Sequence, residues 1–314
     1  MANHRAGVSY DLRESGKTAI VRKAPCRVLF TAEQADLGDY SRSLAEFLSY
    51  PCIRGVAAKL GSPRRNAPAI FWNVFFRNRP ALELMRRVAD EKANGSTLRI
   101  AVLACSIGAE VYSILWTIRL ARPDLKVLVC AVDISRQILK FAEKGIYAPD
   151  TCELVGCSIL ERLTAHEMEQ MFDWEGDQAR IKPWLREGIT WQLGDASSPE
   201  LIHVLGPQDI VVASNFLCHM EPLDAENCLR NIAVLVDRGG YLFVSGVDLE
   251  VRPKVAHELG WRPIPELLKP IHDGDPDLRG GWPLAWWGLE PLNHRRCDWQ
   301  LRYATAFQSI QTVE

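Results

Sequence analysis

The chain has almost no charge imbalance: 37 Lys and Arg against 39 Asp and Glu over 314 residues leave a formal net charge of −2 and a pI near 6.4. A generally basic surface that would neutralise nucleic-acid phosphates is therefore not expected. Also missing are an apolar run of about 18 residues and a secretory leader pattern, so no membrane span is expected and the cytoplasm is the expected compartment. The nine cysteines are odd in number and scattered, with Cys105, Cys130 and Cys218 inside apolar runs. That pattern fits reduced thiols and argues against a disulfide framework. Cys152 and Cys157 have no second pair at zinc-ligand spacing, so no metal is expected. The dinucleotide fingerprint GxGxxG is absent as well.

What is present is 47% apolar composition, ample for a large α/β core. One stretch organises the rest. Ile100-Ala101-Val102-Leu103-Ala104 is apolar throughout, as in a strand buried on both faces of a parallel sheet. It breaks at Cys105-Ser106-Ile107-Gly108, where small residues permit a tight turn and close approach of a ligand. Helical apolar spacing resumes from Ala109. In open α/β sheets ligands sit beyond the carboxyl ends of strands, which makes this loop the leading candidate for a binding site. A second apolar run, Val127–Val132, ends at Asp133, which is 133 − 110 = 23 residues past Glu110. An acidic residue there suits the two hydroxyls of a ribose, and equally suits a helix cap for Ser135–Lys144.

Three segments, ACSIGAEVYS (104–113), AVDISRQILKFAEKGIY (131–147) and SNFLCHM (214–220), resemble the S-adenosylmethionine-dependent methyltransferases of the CheR type in order and spacing. FFRN (75–78) is similar to an upstream motif of that family, and the likeness extends over about residues 71–248. The resemblance implies a doubly wound, mostly parallel, seven-stranded α/β sheet of the class I methyltransferase type. It also implies S-adenosyl-L-methionine as cofactor and a carboxylate as methyl acceptor. Carried over residue by residue, it assigns cofactor contacts to Arg77, Ala104, Ser106, Gly108, Glu110, Asp133, Ile134, Asp195, Ala196 and Asn215. Arg77 would meet the methionine carboxylate, Glu110 the ammonium, Asp133 the ribose, and Asp195 with Ala196 the adenine. Asp195 reads equally as a turn residue in Gly194-Asp195. Asn73 stands where the family has a threonine.

Asn215 and His219 lie just past the fourth strand and are the candidate catalytic pair, His219 also as an acceptor contact; a buried or capping histidine is the alternative. Ser214 and His219 replace an arginine and a tyrosine of the family, and residues 1–70 do not supply its charged helical domain. These departures favour a small-molecule acceptor over a protein glutamate. Nucleic acid and membrane are not expected partners.

Along the rest of the chain, residues 1–30 suggest a hairpin and 34–60 one or two helices, together an N-terminal extension. A helix is expected from Pro80 to about Lys92, and a polar connector at 150–188 with a capping-box helix from Thr164 reads as a contributor to a lid. Further strands are expected at 189–193, 209–215, 241–244 and 299–307, with a turn at 237–240. Residues 249–298 would then be a loop-rich insertion on the acceptor side, with Trp286 and Trp287 as substrate contacts and His272, His294, Arg295 and Arg296 as groups for an acid.

Overall fold

The computed structural model describes residues 74–148, 158–274 and 290–310. These belong to one of the two compact units into which the chain divides, Ala35–Glu314; the other, Met1–Gln34, falls outside them. The expected N-terminal hairpin and helices, Asn73, Trp286 and Trp287 also lie outside the described residues.

The first helix, α1 (Arg79–Asp90), starts where the Asn78 side chain accepts from the Ala81 amide and Pro80 fills a position that needs no N–H. Strand β1 (Thr97–Leu103) leads through the small-residue loop into α2 (Ala109–Ala121). Strand β2 (Lys126–Asp133) leads into α3 (Arg136–Lys144), whose cap is Ser135. Then come β3 (Ile146–Tyr147), α4 (Ala165–Met171), β4 (Phe172–Glu175), β5 (Gln178–Ile181), α5 (Pro183–Arg186) and β6 (Ile189–Leu193). The remainder is α6 (Leu201–Leu205), β7 (Gln208–Ser214), α7 (Pro222–Ala233), β8 (Val236–Ser245), α8 (Val251–Glu258), β9 (Arg262–Pro263), α9 (Leu268–Asp273), α10 (Trp299–Tyr303) and β10 (Ala306–Gln308).

Seven strands form one sheet in the order β6-β2-β1-β7-β8-β10-β9. The first five run parallel, and β10 is antiparallel to both its neighbours. Side-chain alternation divides the core into two layers. Ile100, Val102, Ile210, Val212, Tyr241 and Phe243 face the side carrying α1 and α2, whereas Ala101, Leu103, Val211, Ala213, Leu242 and Val244 face α7 and α8. The order in which successive strands are added reverses between β1 and β7, so the cleft at their carboxyl ends is the switch point where such sheets place ligands.

Several expectations need correction. Trp299–Tyr303 is helical and only Ala306–Gln308 is extended. The sixth strand is Arg262–Pro263, where a proline is tolerated because the strand lies at the sheet edge. The expected turn at 237–240 is an irregular stretch within β8: partners shift from Gln208↔Val236 to Ile210↔Tyr241, with Gly239 at φ 73°. The connector before β6 is folded in its described part. It builds a second sheet, β3-β5-β4, whose Tyr147 and Phe172 pack edge-on against Phe75, with Ile181 buried in the same core layer. The expected capping box on α4 is present, Thr164 and Glu167 each accepting from the other's amide at 3.2 and 2.8 Å.

Candidate functional site

The loop after β1 is held from every side. Its Cys105 amide donates to Val132 O at 2.9 Å, the Gly108 amide to Cys105 O at 3.0 Å, and the Tyr147 hydroxyl to Ile107 O at 2.7 Å. Within it Ala104, Ser106 and Gly108 take φ of 51°, 49° and 87°. A run of alternate left-handed residues is unusual for side-chain-bearing positions and persists only where surroundings enforce it. At Gly108 an added Cβ would come within 3.1 Å of both Ala142 and Trp191, so the backbone itself forms the floor here.

Asp133 is what fixes the loop. Its Oδ2 accepts from the Ser106 amide at 3.0 Å and its Oδ1 from the Ser135 amide at 2.9 Å. The helix cap is instead the Ser135 hydroxyl, 3.4 Å from the Ile138 amide, so the capping alternative for Asp133 does not describe the structure. The carboxyl is buried, and loss of solvent raises its pKa against the pull of these amide donors. Directly after it, Ile134 is 48% exposed, an apolar surface beside a carboxylate. That pairing suits a nucleoside, which presents hydroxyl donors next to a flat base.

Glu110 opens α2 and faces two partners that the sequence places far away. The Ser214 hydroxyl hydrogen-bonds its carboxyl and the Arg77 guanidinium lies close enough to favour its ionised form, yet burial outweighs both and raises its pKa. Cys218 also senses Arg77, while burial pushes its thiol up to about 12. His219 ends a short 3-10 turn, Leu217–His219, and burial lowers its pKa, favouring the neutral imidazole. Glu110 and His219 each keep partial solvent access while protein encloses them closely enough for desolvation to dominate, as on the wall of a cleft.

At the end of β7, Asn215 has φ of 59°, and its amide donates to Ser245 O at 2.9 Å. Its neighbour across the sheet is Gly246, φ 61°, whose oxygen accepts from the Cys218 amide at 2.8 Å. Asp195 turns its Oδ1 onto the Ser197 amide and hydroxyl, at 2.8 and 2.7 Å, so it organises its own turn, and Ala196 is buried beside it. His272 is buried, its Nε2 2.8 Å from Glu290 O and its Nδ1 3.1 Å from Asp273, and Arg296 pairs with Asp298. Those two are therefore engaged in holding their own segments rather than offered to an acid.

The structure thus brings Arg77, Glu110 and Ser214 into one charged cluster and joins Ser106 to Asp133 across the loop. Ser214 and Gly246 were not among the sequence candidates. Ser214 was marked only as a departure from the resembled family, and its partner Glu110 could not be read from the sequence. Gly246 carried no more signal than any glycine after a strand. The donor set fits a nucleoside amino acid: a buried carboxylate for hydroxyls, an exposed apolar face for a base, and an acid and a guanidinium for the amino and carboxyl groups. Among the described residues no group of His, Cys, Asp and Glu could hold a metal ion, and no helix is long and apolar enough to cross a membrane.

Comparison with known proteins gives a match to the family model of the CheR methyltransferase, SAM-binding domain, over residues 73–254, more than half the chain. An uncharacterized 104.1 kDa protein of Rhodobacter capsulatus is 29% identical over 57% of this chain and 18% of that protein. A chemotaxis protein methyltransferase of Listeria monocytogenes is 28% identical over 57% of this chain and 65% of that protein, so the chain spans less than two thirds of the length of either relative. Among solved structures, the N-methyltransferase NodS of Bradyrhizobium japonicum with S-adenosyl-L-homocysteine aligns at 12% identity and a TM-score of 0.36, covering 68% of this chain and 88% of that one.

Proposed function

The chain belongs to the CheR methyltransferase family through its S-adenosylmethionine-binding domain, and on that basis we propose that it transfers the cofactor's methyl group to an oxygen of a carboxylate acceptor. The observation that carries the reading is that the loop after β1 is tied to Asp133 through the Ser106 amide while Glu110, at the start of the helix that follows it, is influenced by Ser214 and Arg77. In this reading Asp133 holds the ribose, Ile134 covers one side of the adenine with Asp195 and Ala196 near its edge, Glu110 takes the ammonium and Arg77 the carboxylate. Ala104, Ser106 and Gly108 let the backbone come close, and Asn215 closes the cofactor site toward the acceptor.

When bound, the cofactor supplies a methyl group already activated by the sulfonium. What the chain must do is align an acceptor oxygen and exclude water. A carboxylate is ionised at neutral pH and needs no base. Asn215, held rigidly by the end of β8, orients it, and His219 borders the same cleft as a neutral imidazole able to share a hydrogen bond. We favour a small-molecule acid over a protein side chain. The support is that Ser214 spends its hydroxyl on Glu110, where the resemblance would have an arginine. The Listeria relative's name, a chemotaxis protein methyltransferase, keeps a protein as the competing acceptor.

The test is incubation with methyl-labelled S-adenosylmethionine and a panel of small carboxylic acids and glutamate-containing peptides. Release of S-adenosylhomocysteine with a base-labile methyl ester on a small acid is expected. Methylthioadenosine as product would move the chemistry to another bond of the sulfonium, and no turnover with any acceptor would leave a binding module.

A further inference from the structure

Phe76 takes φ of 52° although it is bulky and buried. A left-handed conformation at such a residue is strained and is kept only where its surroundings impose it. Much of what imposes it comes from one face of α2. The Phe76 ring meets Trp116 edge-on at 5.1 Å, and its amide donates to the Ser113 hydroxyl oxygen at 3.0 Å. On its other side the Arg79 guanidinium lies over the ring at 4.5 Å from the centre, itself bonded to Glu167 at 2.6 Å. The flanking residues are braced as well: the Phe75 amide donates to Ile159 O at 3.2 Å, and Arg162 Nη1 donates to Arg77 O.

Ser113 is 1% exposed, and its hydroxyl is used twice. It donates to Ala109 O at 2.7 Å, the bond that helical serines commonly make to the carbonyl four residues back. The bond it accepts from Phe76 is of another kind, joining positions 37 apart and satisfying a buried amide. Each contact falls on the residue just before a charged one: Phe76 precedes Arg77, and Ala109 precedes Glu110. The backbone that carries Arg77 is thus docked on the start of the helix that carries Glu110, and the guanidinium acts on that carboxyl. We propose that Ser113 is a positioning residue that sets the spacing of Arg77 and Glu110, and through it the selectivity of the site for a ligand with a free α-amino-acid end. This rests on the reading above, in which Arg77 takes the cofactor's carboxylate and Glu110 its ammonium. A carboxylate and an ammonium on one carbon are gripped together only when their two partners stand at one separation, and charge-assisted hydrogen bonds weaken steeply with misalignment. Ser113 itself is enclosed and acts through the two backbones.

The experiment measures, by calorimetry on the full chain, the affinity for two probes: S-adenosylhomocysteine, and methylthioadenosine, which keeps the adenosine and the sulfur but has no amino-acid end. The unsubstituted chain should prefer the first by about a hundredfold or more, the scale of two hydrogen-bonded charges. Ser113→Ala should weaken S-adenosylhomocysteine about tenfold and leave methylthioadenosine within about twofold, so the preference itself falls about tenfold. A loss shared equally by both probes makes Ser113 a packing residue of the helix start and overturns the proposal, and so does an unchanged preference. Should the alanine variant fail to fold, Ser113→Cys decides by the same ratio, since it is nearly the same size but accepts only weakly through sulfur. A fall in the preference supports the proposal and an unaltered one overturns it. Failure of the underlying reading looks different: an unsubstituted chain that binds the two probes equally well does not grip the amino-acid end at all, and both the reading and the role of Ser113 are then overturned together.

Discussion

A Cβ placed on Gly246 would lie 2.6 Å from Cα of Asn215 and 2.7 Å from its Oδ1. Both residues are left-handed, and the Asn215 amide is tied to the residue before Gly246. The glycine is thus what allows Asn215 its strained conformation at the end of β7. Gly246→Ala must push Asn215 aside, since the nearest atom is backbone. We predict a loss of kcat of about tenfold or more, of the kind that follows misplacement by an ångström, with S-adenosylhomocysteine affinity within about twofold. Equal losses of kcat and cofactor affinity would show a general collapse of the strand end instead.

Asp133 serves structure and ligand at once, so its substitutions separate the two. Asp133→Asn keeps one amide acceptor and most of the volume, whereas Asp133→Ala releases both the Ser106 and Ser135 amides. The alanine variant should bind S-adenosylhomocysteine about 1.5–3 kcal/mol more weakly by calorimetry, the scale of hydrogen bonds to a charged group. The asparagine variant should fall between it and the unsubstituted chain. Unchanged affinity in both would reduce Asp133 to a loop brace.

The legible part of the fold is the part where burial writes itself into sequence. Strands β1, β2, β7 and β8 lie in the sheet interior, so Ile100–Leu103, Val127–Val132 and Ile210–Ala213 read as apolar runs ending in polar residues. The two short strands beyond β8 left no such trace. Arg262–Pro263 and Ala306–Gln308 span two and three residues, too few for any period to show, and helix α10 abuts the latter. The site divides the same way. Asp133 drew attention through its distance past a small-residue loop, and Glu110 through the family resemblance. The positive φ of Ala104, Ser106 and Asn215 was not legible, because no local preference of Ala, Ser or Asn demands it; the surrounding sheet does.

Glu110 illustrates a site maintained against stability. Its folded-state pKa is raised above the ordinary carboxylate value of 4.5, chiefly by burial. The folded chain therefore holds this proton more tightly than the unfolded chain, and the stability it contributes is present below pH 4.5 and is lost as pH rises through the folded pKa. Glu110→Gln should remove that part of the pH dependence and raise the thermal midpoint near neutrality by about 1–3 °C. The same substitution should weaken S-adenosylhomocysteine binding about tenfold or more by removing the partner of its ammonium. In the unsubstituted chain binding should strengthen with pH across the same window and release protons, which calorimetry in buffers of different ionisation enthalpy would register. Binding that is flat with pH would show that the ammonium does not meet Glu110.

His219 bears on the acceptor, and its direction of shift decides what it can do there. Burial holds its pKa below 6.5, so the imidazole is neutral at pH 7 and cannot act as a fixed cation for an acid. The stability it permits is present above pH 6.5 and is lost as pH falls through the lowered folded pKa, because protonation then charges an enclosed ring. His219→Asn should flatten that acid-side loss and keep a hydrogen-bonding group at a similar position. If the acceptor is a carboxylate, the asparagine variant should retain turnover within about threefold at pH 7.5, while His219→Ala loses about tenfold through a looser acceptor, and cofactor affinity should stay within about twofold in both. A general base would behave otherwise: turnover of the unsubstituted chain would climb with the deprotonated fraction, and asparagine would be as damaging as alanine, a loss of about a hundredfold. The pH–rate profile of the two variants side by side therefore distinguishes an already ionised acceptor from one that must give up a proton, and the second outcome would replace the carboxylate by a phenol, an amine or another protonated nucleophile.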